Sequence, residues 1–329
     1  MMAIITGQWV SQIARTVAEF RVPELLHEEP RSAEEIAESA GADADATFRL
    51  MRAAVSVGLA AYDDISKRFS KTALLDRLRG DAPDSLRNLA IAWNSPGHWA
   101  PWGLLPSVVR YGHDLTREAL DGPIWEYYAS NSDEGELFTQ GIAELSAPTI
   151  RQAVKVISAR PGDVIADLGG ATGIFVLEML KEYPETTGII NDLPHVTKAA
   201  QSEIEARGMS DRCTTDPTDF FEAVPEADIY LMKFIMHDWD DDACIKLLTR
   251  CRRAMKPGGR VVIVDMVIGP VADPGPAALM DINMLTMLPG RERDHSDLDR
   301  FFAAAGLKRS ATIGLTSPEF VIEAVALES

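Results

Sequence analysis

The sequence predicts an α/β protein in which a doubly wound, mostly parallel sheet with an antiparallel edge hairpin follows a mainly helical, winged-helix module. Three observations carry this. Before residue 150 the apolar residues recur at helical spacing, and after residue 160 short apolar runs alternate with helical patterns. A turn of small residues then closes the first of those runs. The expected domains are 1–145, helical, winged-helix and dimerising, and 146–329, which carries the sheet.

In chain order, Ser32-x-x-Glu35 is a capping box that opens a helix, Gly41 ends it, and Phe48, Leu50, Met51 and Val55 form a second apolar face. Helix, turn, helix and a short hairpin wing follow from that pattern. Such a module could bind DNA, but the formal charge of −18 repels a phosphate backbone, and no basic recognition face is visible. Packing is therefore the expected role. The stretch from Trp9 to Leu26 carries more apolar surface than a free helical module exposes, so a homodimer is expected.

Between Ala90 and Phe138 stand Trp93, Trp99, Trp102 and Trp125, four of the six tryptophans, with Tyr111, Tyr127 and Tyr128. Such a cluster is equally compatible with an apolar pocket and with core between helices. Cys213, Cys244 and Cys251 show neither a disulfide framework nor metal-ligand spacing, so no metal is expected. No apolar run reaches the ~18 residues of a membrane span, and the N-terminus lacks a leader pattern, so the chain is expected in the cytoplasm without a membrane partner.

The strands read as DVIADL, TGIIND, ADIYLMKF, GRVVIVDMV, KRSATIGL and EFVIEAVAL. Ligands of such sheets bind beyond the carboxyl ends of the strands. The first strand ends in Asp167-Leu-Gly169-Gly170-Ala171-Thr172-Gly173 and opens a helix whose N-terminus offers free N–H donors. The dinucleotide fingerprint does not fit this loop in register, whereas Asp-x-Gly-x-Gly-x-Gly does, with Ala171 in the middle glycine's place. Asp192, ending the second strand before Leu193, is placed to take ribose hydroxyls. In order along the chain, these signals favour an adenosyl ligand. His237 lies between an apolar run and the acids of DWDDDAC; on the residues alone it could simply begin that helix.

DLGGATG, NDLPHV, TDFFEAVPEADIYLMKFIMHDWDDDAC, MKPGGRVVIVDMV and LPGRERDHSDLDRFFAAAGL occur in the order in which they stand in the S-adenosylmethionine-dependent O-methyltransferases of the plant caffeate and bacterial polyketide-tailoring type. The chain resembles that family over nearly its whole length. The resemblance implies a Rossmann-like methyltransferase sheet, a homodimer, S-adenosyl-L-methionine as cofactor, and a hydroxyl of a small aromatic or polyketide-like molecule as substrate. It places His237 as general base, oriented by Asp265 and Glu292. Asp167, Gly169, Gly170, Asp192, Leu193, Asp219, Phe220, Lys233 and Trp239 fall on the cofactor side, and Met284, Asp238 and Trp125 on the substrate side. Two departures stand out: Ala171 replaces a glycine, and TMLPGRERDHSDLD lacks the family's doubled glycine and following threonine. Some relatives keep the cofactor for non-methylating hydroxylation or ring-forming chemistry, the alternative reading; a winged-helix DNA-binding regulator is a third.

Overall fold

The computed structural model describes residues 1–194 and 196–327; His195 of NDLPHV and the last two residues of the expected second domain lie outside them. Two compact units form, residues 1–100 with 130–145, and residues 101–129 with 146–327 of the described chain. The change after Leu145 coincides with the change in sequence texture. Residues 101–129, read with the first domain, pack with the second.

The first unit is built as its caps dictate. Ser32 Oγ accepts the Glu35 amide, and Glu35 returns the bond to the Ser32 amide, opening helix Ala33–Ala40. Gly41, at φ 65°, ends it. Helix Ala44–Ser56 follows, then strands β1 (Ala60–Asp63) and β2 (Arg68–Lys71), which pair antiparallel as the wing. Val17, Val22, Leu26, Ile36, Met51 and Phe69 are buried together as its core. Helices Met2–Ile5 and Gly7–Glu19 leave Ile4, Ile5, Trp9 and Val10 exposed.

The second unit holds seven strands: β3 (Val164–Leu168), β4 (Thr187–Asn191), β5 (Cys213–Asp216), β6 (Ala227–Lys233), β7 (Met255–Met266), β8 (Leu307–Gly314) and β9 (Glu319–Ala326). Their order is β5-β4-β3-β6-β7-β9-β8. The first five in space are parallel, while β9 runs antiparallel to β7 and to β8. Sequence reading supplies six of these strands and omits β5, whose Cys-Thr-Thr-Asp carries no apolar run. Both faces are covered: Tyr230 and Met232 of β6 enter one core with Leu247, Phe301 and Phe302, and Ile229 and Leu231 enter the other with Val176, Leu180 and Ile204. That two-sided burial produces the continuous apolar runs of parallel strands. The chain leaves β3 toward β4 on one side and returns to β6 on the other. A crevice between the carboxyl ends of β3 and β6 is where this topology places a ligand.

The tryptophan cluster divides. Trp93 and Trp99 belong to the first unit, Trp102 and Trp125 to the second. Trp99, Trp102 and Trp125 are each more than a third exposed, so they are not core. Cys244 and Cys251 are buried on one face of helix Asp241–Ala254, as their spacing implies.

Candidate active site

At the end of β3 the chain turns through Gly169 at φ 66°, where a side chain would collide with Ile235, and reaches Gly173 at φ 77°, where one would collide with Ile190. Gly169 and Gly170 donate their amides to the Asn191 carbonyl at 2.8 and 3.4 Å, tying the loop to the end of β4. A Cβ on Gly170 would lie 3.0 Å from the Asp167 carboxyl. Ala171 adopts φ 50° without being glycine, so this departure from the glycine pattern stores backbone strain. Its amide donates to Asp192 Oδ2 at 2.9 Å, and the part-exposed Leu193 donates to Oδ1 at 2.7 Å. Asp167 accepts the Val176 amide at 3.2 Å. Burial, offset by that bond and reinforced by the Asp192 charge, pushes Asp167 up to about 7.

Asn191 donates to the carbonyls of Asp216 and Thr218, fixing the loop after β5. In that loop Asp219 accepts the Phe221 amide at 2.7 Å. Phe220 and Phe221 meet Trp239 edge to face, with centroids 6.0 and 4.7 Å away. A Cβ on Gly169 would also lie 3.6 Å from the Phe220 ring, so Phe220 borders the glycine loop. Asp167, Gly169, Gly170, Asp192, Leu193, Asp219, Phe220 and Trp239 thus surround the carboxyl ends of β3, β4 and β5.

Beside this, β6 ends in Lys233 and then Phe234 at φ 56°. The strained Phe234 amide is held by Asp265 Oδ1 at 2.7 Å. The Phe234 ring stacks on His237, centroids 5.1 Å apart, and carries Lys233 Nζ 3.1 Å from its centre. That ammonium is buried without a hydrogen-bond partner; burial pushes its pKa down, while Glu319 and Asp265 oppose the shift. The turn Met236–Asp238 presents a buried His237 whose Nδ1 meets Glu292 Oε1 at 2.7 Å. Its Nε2 faces Asp238 Oδ1 at 3.4 Å, a charge contact rather than a hydrogen bond. Of the two acids expected to orient the imidazole, Glu292 touches it. Asp265 fixes Phe234 and acts on the ring through its charge.

Burial alone disfavours an imidazolium. The Glu292 hydrogen bond and the charges of Asp238, Asp265 and Glu292 outweigh it and push His237 up to about 9. Asp238 rises to about 6, burial prevailing over the attraction of His237. Burial likewise pushes Asp265 up. The second oxygen of Glu292, Oε2, is buried without a partner.

Several residues that hold this arrangement escape sequence reading. Gly290 brings the loop against the backbone of His237, Asp238 and Trp239, where any side chain would collide. Asp281, on helix Ala277–Met287, accepts the Glu292 amide at 2.9 Å. Arg293 donates to carbonyls of the histidine turn. The Pro-Gly pair of LPGRER was the available signal for Gly290; Asp281 and Arg293 had none. Met284 is buried on the same helix as Asp281, and Trp102 donates to Asn283 there at 3.0 Å. Trp125 lies on helix Ile124–Ser130 with its ring against Tyr128.

A glycine turn and an acid stand at successive strand ends of this α/β sheet, where such sheets take their ligands, next to a buried imidazole gripped by a carboxylate. Residues 102–308 match the O-methyltransferase domain, and residues 2–78 match the O-methyltransferase dimerisation domain. The chain belongs to the O-methyltransferase family, and it is an S-adenosylmethionine-dependent O-methyltransferase. It is 32% identical over 311 residues to the mitomycin biosynthesis 6-O-methyltransferase of Streptomyces lavendulae, covering 93% of this chain and 87% of that one. The crystal structure of LaPhzM superposes with a TM-score of 0.94 at 29% identity, over 99% of this chain and 98% of that one. That of NcsB1, an O-methyltransferase from neocarzinostatin biosynthesis solved with S-adenosylmethionine and 2-hydroxy-5-methyl naphthoic acid, gives 0.83 at 27% identity, over 97% and 96%.

Proposed function

We propose that this enzyme, a cytoplasmic homodimer, methylates a hydroxyl of an aromatic or polyketide-derived small molecule, with His237 as the general base. The observation that carries the reading is the buried His237–Glu292 pair at 2.7 Å, at the end of the strand next to the glycine loop. The cofactor fits the residues present: the buried Lys233 ammonium lacks a hydrogen-bond acceptor, and Asp238, Asp265 and Glu292 surround one imidazole, leaving negative charge that suits a cation. Gly169, Gly170 and Asp192 would hold its nucleoside and amino-acid parts, with Phe220 and Trp239 beside the adenine. Bound S-adenosylmethionine supplies a methyl group on a positively charged sulfur.

Glu292 accepts from Nδ1–H and so leaves Nε2 as the proton acceptor of the neutral ring. Nε2 would take the proton of the substrate hydroxyl, and Glu292 with Asp238 would stabilise the imidazolium formed, while the cofactor would supply the methyl group and leave as S-adenosylhomocysteine, its methyl–sulfur bond broken. With His237 pushed up to about 9, the ring must give up a proton before Nε2 can accept one from the substrate. Met284, Asp238 and the aromatic residues near helix Ala277–Met287 form the substrate side in this reading. The exposed Ile4, Ile5 and Trp9 of the dimerisation domain support pairing of two copies. Incubation with a panel of aromatic hydroxyls and methyl-labelled S-adenosylmethionine, followed by mass spectrometry, tests the chemistry. The expected product gains one labelled methyl with equimolar S-adenosylhomocysteine; a product altered without gaining the label sinks the reading.

A further inference from the structure

Glu292 and Arg293 are neighbours in the chain and act on the same turn from different directions. Glu292 grips the His237 ring. Arg293, its side chain only 2% exposed, grips the backbone around it: Nη1 donates to the Met236 carbonyl at 2.5 Å and Nη2 to the Trp239 carbonyl at 2.6 Å. These two carbonyls bracket the histidine. The same guanidinium pairs with Asp241 in the first turn of helix Asp241–Ala254, with Nη2 at 3.1 Å, and lies 4.9 Å from the centre of the Phe301 ring. Arg293 is itself anchored by backbone, bridging Val267 just past β7 and accepting the Ile268 amide at 3.1 Å. One buried residue therefore ties the end of β7 by its backbone to the histidine turn and the following helix by its side chain.

We infer that Arg293 is a positioning residue for the base: its planar fork fixes the Met236–Trp239 backbone so that His237 and Glu292 meet in a single geometry. The inference rests on His237 being that base. Surface stability does not explain a cation at this place, because Asp241 already has Arg291 and Arg300 as partners. Nor could lysine replace it. A lysine ammonium is a single point charge and cannot span two carbonyls and a carboxylate at once. The groups facing His237 are the carboxyls of Glu292, Asp238 and Asp265 and the Phe234 ring bearing the Lys233 ammonium. Loss of the fork should therefore first weaken the Glu292 contact.

Arg293→Lys is measured in two ways. Steady-state kinetics should show kcat down about 10–100-fold, the scale of a displacement of about an ångström in a reacting group, with S-adenosylhomocysteine affinity held within about twofold. NMR titration of labelled imidazoles, with His237→Gln to assign the resonance, should show the His237 pKa falling by about one unit as the Glu292 bond loosens. Arg293→Ala, refolded if necessary with guanidinium present, should recover activity in proportion to added guanidinium. An Arg293→Lys enzyme with the wild-type titration curve and wild-type kcat overturns the inference. So does a lower melting temperature with an unmoved His237 titration, since that marks a merely structural residue. Failure of the base assignment appears separately, as wild-type turnover in His237→Gln, and the NMR titration reads the hold of Arg293 without requiring turnover.

Discussion

The glycine loop and the imidazole site lie at the ends of neighbouring strands, β3 and β6, yet they are made from different materials. The first is backbone: amides of residues 169–171 and 193 closing on the Asn191 carbonyl and the Asp192 carboxylate, all within two short stretches of chain. The second is side chain on side chain across long separations, with His237 held by a carboxylate 55 residues away. Charge separates them too. Asp167 titrates against a backbone amide and one other acid, whereas His237 sits among three carboxyls. A backbone cradle is specified by local conformation and tolerates change in the side chains around it. An assembled charge cluster depends on the register of a distant loop, and it can fail while the cradle survives.

The largest effect expected from that contrast falls on His237. Removing a general base costs ~10²–10⁴-fold in rate, so His237→Ala should lose that much kcat while S-adenosylhomocysteine binds as in the wild type. Raising the pH should partly restore a variant acting on a phenol, because the phenolate forms unaided. If His237, pushed up to about 9, is the base and must lose its proton before acting, the free-enzyme profile of the wild type, kcat/KM, should climb toward about pH 9. If cofactor affinity collapsed along with the rate, the two regions would be one cooperative unit and the comparison would break.

The same contrast explains what could be read in advance. Alternating strand and helix, the capping box at Ser32 and the Asp167–Gly173 loop are local patterns, and each appears in the structure where the residues place it. The strand β5 was invisible because four polar or small residues carry no periodicity; it forms because the backbone of β4 is there to pair with it. His237, Asp265 and Glu292 came from family resemblance, not from spacing. Their division of labour needed three dimensions. That Asp265 holds the strained Phe234 amide, while Glu292 bonds the ring, depends on the Gly290 loop reaching the histidine turn. Trp125 was likewise put on the substrate side by resemblance, because aromatic type does not tell a sequence reader which way a ring points.

A medium effect should isolate the acid of the glycine region. Asp167 has its folded pKa raised from 3.8 to about 7, so between those values the native state holds a proton that the unfolded chain has lost. Stability therefore falls as pH rises through that window, and the loss is complete above about 7. At 1.36 kcal/mol per unit, about 2 kcal/mol of it lies between pH 5.5 and 8. Asp167→Asn keeps the oxygen that accepts from Val176 and removes the ionisation. Urea denaturation at the two pH values should find that the variant has lost about 2 kcal/mol of the wild-type pH dependence. An unchanged difference would show that the raised acids of the imidazole region, not Asp167, govern the pH response.

The smallest effect is the most discriminating for the cradle itself. Asp192→Ala should weaken S-adenosylhomocysteine binding by roughly 1–3 kcal/mol, the cost of leaving hydrogen-bonding groups unpaired. Two causes are mixed in that number. The carboxylate already accepts the Ala171 and Leu193 amides, so its loss would loosen a loop whose Ala171 is strained as well as remove the acceptor proposed for the ribose. A double-mutant cycle with 2′-deoxy-S-adenosylhomocysteine separates them, because only the direct contact couples the protein change to the ligand change. Calorimetry on the four pairs should give a coupling of about 1 kcal/mol, the net value of one hydrogen bond to a hydroxyl. A full affinity loss with additive effects would mean that Asp192 serves the loop and not the ribose.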